Sequence, residues 1–168
     1  MTKKSPLAPE KFPVLVGIDG VLMATSATAM KYKNRDDLLL VSFPYGAVAA
    51  GVFTTSKCYS APVGWCREIL LENKSARALL VNAGNANAFT GKAGDQAMAS
   101  TIHSVADALS CDERQVYVAS TGVIGEVFKA ELINQHVAQA VEKLSPESWL
   151  LSASAILTTD TFAKGATR

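Results

Sequence analysis

The sequence predicts a layered α/β or α+β domain in which helices cover a β-sheet, and three observations carry that expectation. First, the 168-residue chain is 49% hydrophobic with 16 basic against 15 acidic side chains. That composition excludes disorder and lets a single core remove roughly 70% of the unfolded surface from water. Second, the first third of the chain carries apolar runs of strand length, and residues 38–56 include no charge. Third, helical periodicity alternates with short apolar strands beyond residue 62, the order expected of helices layered on a sheet.

The elements follow in order. Residues 14–18 and 21–30 read as strands around Asp19-Gly20, a two-residue turn signal that favours a hairpin. Residues 38–43 and 47–55 read as two further strands joined at Pro44-Tyr45-Gly46. A membrane helix over 38–56 is excluded because Pro44, Gly46 and Gly51 interrupt it. Near-continuous apolar runs instead require a sheet covered on both faces. Pro62 suits the first turn of a helix running to about residue 73, since a missing N–H costs nothing there. A short buried strand at 78–82 leads into a loop over 82–91. The helix at 93–109 places Met98, Ile102, Val105 and Leu109 on one face. A strand at 116–119 precedes a helix at 129–144 with Ile133, Val137, Ala140 and Leu144 inward. Ser145 then caps a helix with Pro146 in its first turn, carrying Trp149, Ala153 and Ile156 inward. No repeat or linker divides the chain, so residues 1–168 form a single domain.

Several function classes drop out. A formal charge of +1 and scattered Lys and Arg offer no field for a phosphate backbone, so nucleic acid is not an expected partner. Cys58, Cys66 and Cys111 form no Cys-x-x-Cys pair, and with His103 and His136 they show no metal-ligand spacing. A reduced cytosolic protein is the simplest reading. Pro6, Pro9 and Glu10 fall where a signal peptide needs its apolar run, so no export signal is expected.

Three segments have the make-up to carry chemistry. The run from Asn82 to Lys92 joins a strand to a helix and is rich in Asn and Gly, which tolerate left-handed backbone angles and fix loops. It is not a phosphate loop: six residues separate Gly84 from Gly91, and Ala93 stands where Ser or Thr would bind magnesium. Ser120-Thr121-Gly122-Val123-Ile124-Gly125-Glu126 directly follows a predicted strand. It reads either as a glycine turn or as an oxyanion hole, because a Thr hydroxyl and a Gly N–H at a strand end are donors that can face a developing alkoxide. Thr158-Thr159-Asp160-Thr161 gathers hydroxyls and a carboxylate at a helix end, where local capping competes with a site. His103 and His136 read as surface or boundary residues, and Cys66, among Trp65, Ile69 and Leu70, as buried filler.

Five ordered motifs, taken together, resemble the ornithine acetyltransferase family, the bifunctional glutamate N-acetyltransferases of the cyclic arginine pathway. They are Gly51-Val52-Phe53-Thr54-Thr55, Ala61-Pro62-Val63 with Cys66-Arg67-Glu68, Val81-Asn82-Ala83-Gly84-Asn85-Ala86-Asn87-Ala88, Ser120-Thr121-Gly122-Val123-Ile124-Gly125, and Ala155-Ile156-Leu157-Thr158-Thr159-Asp160-Thr161. The resemblance implies the α-chain fold of a cytoplasmic enzyme that cleaves itself at an Ala-Thr bond. The freed Thr takes acetyl from N-acetylornithine and passes it to glutamate. It further implies an α2β2 assembly and no bound cofactor, with acetyl-CoA left open as a donor. Thr121 and Gly122 match the oxyanion hole, Thr158 and Thr159 the substrate pocket, and Asn82, Asn85 and Asn87 a supporting position.

Family members carry a substrate-binding Lys and the cleavage Ala-Thr farther along than Lys164-Gly165-Ala166-Thr167 stands here. The expectation is therefore most of an α-chain without nucleophile or cleavage site, inactive alone, with no binding role for Lys164. The rival expectation is a non-catalytic remnant or assembly module that keeps the fold.

Overall fold

The structure, a computed structural model, describes residues 4–167; residues 1–3 and 168 of the expected domain lie outside this range. Four strands, β1 (Leu22–Ser26), β2 (Leu38–Val48), β3 (Ser75–Asn85) and β4 (Val116–Val123), form one sheet in sequence order. β1–β2 and β2–β3 are antiparallel, while β3–β4 is parallel. A parallel neighbour needs a long crossover, here supplied by α2 (Gly91–Leu109) and a 3₁₀ turn at Glu113–Gln115. With α1 (Ala61–Glu72), α3 (Ala130–Glu142) and α4 (Trp149–Ala155) the fold is the expected α+β layering.

Side chains alternate across a strand, and the sheet sorts accordingly. Ala24, Leu38, Leu40, Ala78, Leu80, Val116 and Val118 pack with Cys66, Met98, Ile102 and Ile133 from α1, α2 and α3. The odd-numbered Met23, Leu39, Val41, Leu79 and Val81 join a smaller cluster that includes Trp149 of α4. The sheet is thus closed on one face and half-covered on the other, not internal throughout.

The hairpin before β1 does not form. The turn is present, with Val21 N–H donating to Ile18 C=O at 3.1 Å, yet residues 14–18 are not a strand and Val14, Val16 and Ile18 are exposed. The outer edge of β1 is already occupied: Met23 and Ser145 exchange N–H···O=C bonds, both 2.9 Å. That bridge also explains why Ser145 caps no helix; α4 begins only at Trp149, and it buries Ser152 and Ala155 rather than Ala153 and Ile156.

β1 stops at Ser26 instead of reaching residue 30, because the chain turns onto Asp37. The two strands expected over 38–55 are one. Ser42 pairs with Ala78 and Ala47 with Ala76, so Phe43, Pro44, Tyr45 and Gly46 bulge opposite the single residue Arg77. Gly46, at φ +77°, makes that bulge affordable in backbone terms. Residues 49–55 are not strand.

Candidate active site

β3 and β4 both outrun their expected ends, and the two motif segments lie side by side as a result. Asn82 pairs with Ser120, Ala83 with Thr121, Gly84 with Gly122 and Asn85 with Val123. Ser120-Thr121-Gly122 is therefore strand, not the turn after one. The C-terminal end of parallel strands is where open α/β sheets place their ligands.

Two glycines make this register feasible. Gly122 has φ +136°, and a Cβ there would stand 2.6 Å from both Gly84 O and Asn85 N. Gly84 has φ +112°, and its Cβ would fall 2.6 Å from Lys31 Cβ. Neither position accepts a side chain without backbone movement.

The three asparagines are buried and hold the strand ends together. Asn82 Nδ2 donates to Asn85 O (2.8 Å), and Asn82 Oδ1 accepts from Ser120 Oγ (2.6 Å). Asn85 Nδ2 donates to Glu126 O and Val127 O, both 3.2 Å, and its Oδ1 accepts from Asn87 N (2.7 Å). Asn87 Nδ2 reaches Gly94 O at 3.0 Å. The β3–α2 connection is thereby fixed to the segment after β4.

The orientations of Thr121 and Gly122 follow from strand alternation. Val123 O accepts from Ala86 N at 2.8 Å, so the odd-numbered residues of β4 bond towards β3. Even-numbered residues turn their backbone to the outer edge, where Trp65 Nε1 donates to Val116 O (2.9 Å) and Cys66 Sγ to Val118 O (3.2 Å). Gly122 continues that edge beyond α1's reach and is exposed. The Thr121 side chain faces the half-covered side with Leu79 and Val81, and among the described residues its hydroxyl has no hydrogen-bond partner. A free hydroxyl next to an outward N–H can receive a developing oxyanion.

Thr158, half-buried, and Thr159, exposed, follow α4 as expected. No hydrogen bond joins them to Thr121 or Gly122 among the described residues. Thr161 Oγ1 accepts from Ser5 N at 3.1 Å. Asp160 pairs with Lys164, which holds the Asp160 carboxyl below its ordinary range through the hydrogen bond and the opposite charge. Both flank a cleft of about 180 Å³ with Leu157 and Phe162.

Cys66 is buried, exchanging weak hydrogen bonds with Val118. Burial pushes its thiol upward, away from the thiolate form that a nucleophile needs. His103 is on the surface with Glu113 and Asp107, and His136 Nδ1 sits 2.8 Å from Leu132 O within its helix. Among the described residues no three His, Cys, Asp or Glu side chains are grouped to hold a metal, and no helix is long and apolar enough to cross a membrane.

Sequence reasoning missed two features. Buried Asp37 accepts from Thr28 N (2.7 Å), Thr28 Oγ1 (2.8 Å) and Met30 N (3.0 Å), while Ala83 N donates to its backbone O (2.8 Å). It pins the β1–β2 loop beside the strand ends, and an Asp ahead of an apolar run carries no pattern that announces this. A pocket of about 580 Å³ also opens between the starts of α1 and α2, walled by Tyr59, Trp65 and Phe89 with Glu68 and Asp95. Its lining is dispersed over 42 residues of sequence, from Cys58 to Ala99.

Comparison with known proteins shows the family and the fold. Residues 22–168 match the sequence model of the ArgJ family. The chain is 49% identical over 167 residues to the arginine biosynthesis bifunctional protein ArgJ of Mesorhizobium japonicum, covering 99% of this chain and 40% of that protein. It is 50% identical over 163 residues to the Bradyrhizobium diazoefficiens protein of the same name, covering 97% and 39% respectively. The chain thus spans about two-fifths of the length of these relatives. Among solved structures, the Mycobacterium tuberculosis ornithine acetyltransferase in complex with ornithine superposes with TM-score 0.78 at 34% identity, over 84% of this chain and 77% of that one. ArgJ of Bacillus halodurans gives TM-score 0.77 at 32% identity, over 85% and 74%.

Proposed function

The chain belongs to the ArgJ family, and on that premise we propose that it supplies the oxyanion-binding half of an acetyl-transfer site. The observation that carries this reading is the Gly84–Gly122 close approach at the end of a parallel pair, beside a Thr121 hydroxyl that has no partner among the described residues. Catalytic groups missing here belong, on this reading, to the further length that relatives possess. There a Thr hydroxyl attacks the acetyl carbonyl of N-acetylornithine. As the Thr Oγ–carbon bond forms, the carbonyl oxygen becomes an alkoxide held by Thr121 Oγ1 and Gly122 N. The amide C–N bond then breaks, the Oγ proton passing by way of the nucleophile's own amine to the departing ornithine. Glutamate reverses these steps on the acyl-Thr ester. No cofactor is required, and acetyl-CoA is an alternative acetyl donor rather than a bound group.

Thr158 and Thr159 serve in this scheme as substrate contacts, and Asn82, Asn85 and Asn87 hold the donors in place. The 168-residue chain is inactive alone and works in a cytoplasmic α2β2 assembly with a second half freed by self-cleavage. Reconstituting the chain with the remaining polypeptide and assaying acetyl transfer tests the scheme. Thr121→Ala should lower kcat ~10²-fold or more, the usual effect of losing one oxyanion donor, with Thr121→Ser retaining much of the rate. Wild-type turnover by Thr121→Ala, or transfer by the isolated chain, overturns it.

A further inference from the structure

The two parts of the candidate site, Thr121-Gly122 on β4 and Thr158-Thr159 after α4, share no hydrogen bond, yet a chain of contacts through the β1–β2 loop joins them. The Tyr32 ring lies against Gly84, 3.6 Å from where a Cβ would stand. The Arg35 guanidinium stacks on that ring at 3.8 Å from its centroid. Arg35 Nη2 then donates to the carbonyl of Leu157, the residue directly before Thr158. Arg35 Nε is buried and has no partner among the described residues. A guanidinium with an unanswered buried N–H is retained against a desolvation penalty, which a merely space-filling role does not require. Asp37 fixes the loop's far end, so the stack stands on an anchored base.

We propose that Arg35 and Tyr32 are positioning residues that set the Thr158-Thr159 segment in register with the oxyanion donors; this rests on the acetyl-transfer reading above. The planar guanidinium suits the task because it stacks and donates at once, which a Lys ammonium cannot do. Neither residue touches the reacting atoms. Their loss therefore falls on substrate binding more than on the chemical step.

Two measurements test this. In the 168-residue chain, Arg35→Ala and Tyr32→Ala should each shift the amide resonances of Thr158 and Thr159. Tyr32→Phe, which keeps the ring, should restore the wild-type spectrum at those residues. In the reconstituted enzyme, Arg35→Ala should raise KM for N-acetylornithine ~10-fold with a smaller change in kcat, the signature of lost ground-state positioning. Arg35→Lys should recover only part of that loss. The double variant Tyr32→Ala/Arg35→Ala should cost less than the sum of the single ones, as for residues acting through one contact. Unmoved Thr158 and Thr159 resonances, an unchanged KM, or additive effects overturn the proposal. Thr121→Ala separates the two readings: wild-type kcat in that variant refutes the site itself, whereas a lowered kcat with unchanged KM in Arg35→Ala refutes only the positioning role.

Discussion

The two faces of the sheet are covered to different extents. On the face covered by α1, α2 and α3, Leu38, Leu40, Leu80, Val116, Ile102 and Ile133 are all 3% exposed or less. On the opposite face α4 packs mainly on β1 and β2, and Leu79 and Val81 are half-buried and Ala119 exposed. β3 records the contrast in its own sequence: burial alternates from Ser75 to Val81, then Asn82 to Asn85 are all buried. The closed face is built for stability and the open one leads to Thr121. Burial becomes continuous where the strand runs on from the core into the candidate site.

The strongest test of this contrast is at the glycine crossing. Gly122→Ala puts a Cβ against Gly84 and Asn85 backbone in a conformation that L residues rarely adopt. Activity of the reconstituted enzyme should fall below ~1% of wild type, since both the Gly122 N–H and its neighbour move. Thermal unfolding of the isolated chain should also drop, because strain at a positive φ costs roughly 1–3 kcal/mol. A fully active Gly122→Ala protein would dissolve the distinction between scaffold and site.

Leucine truncation compares the faces directly. Leu40 is fully buried on the closed face, so Leu40→Ala should destabilise by about 2–5 kcal/mol, as buried leucines do. Leu79, half-buried on the open face, should lose well under half as much in the isolated chain. Denaturant unfolding of the two variants side by side provides the measurement. Equal losses would mean that the open face is as well packed as the closed one.

How much of this was legible beforehand depends on which force decides each element. The helices were, because the steps Met98-Ile102-Val105 and Ile133-Val137-Ala140 report burial on one face, and one face is all a helix has to bury. The strand register was less so. Residues 14–18 have the apolar run of a strand but lose the edge of β1 to Ser145, a competitor 100 residues or more away in sequence. Pro44-Tyr45-Gly46 has the composition of a turn and forms a bulge instead, since the β3 partner continues past it. For the site, Thr121, Gly122 and the asparagines stood out by residue type and by family likeness. Asp37, Tyr32 and Arg35 did not, because their work is done by tertiary contacts that no local spacing encodes.

The smallest effect belongs to the outer surface of the closed side, where titration should change stability and leave the site untouched. His103 on α2 has Nδ1 2.7 Å from Glu113 Oε1 and Nε2 3.8 Å from Asp107 Oδ2. The Glu113 hydrogen bond first, then the Asp107 and Glu113 charges, raise its pKa above the ordinary 6.5. A raised folded-state pKa means the imidazolium is favoured in the native protein. Its contribution is complete below the unfolded value near 6.5 and disappears as pH rises through the higher folded value. The ring is exposed, so solvent screening keeps the effect small. His103→Gln should therefore lower Tm slightly at pH 5.5, and the gap from wild type should close by pH 8.5. Acetyl transfer in the reconstituted enzyme should show no such dependence on residue 103, because the Glu113–His103–Asp107 cluster lies on the solvent side of α2 and Thr121 opens on the other face of the sheet. A gap that widens with pH would reverse the assigned sign, and a shifted pH–rate profile in His103→Gln would tie the two sides together.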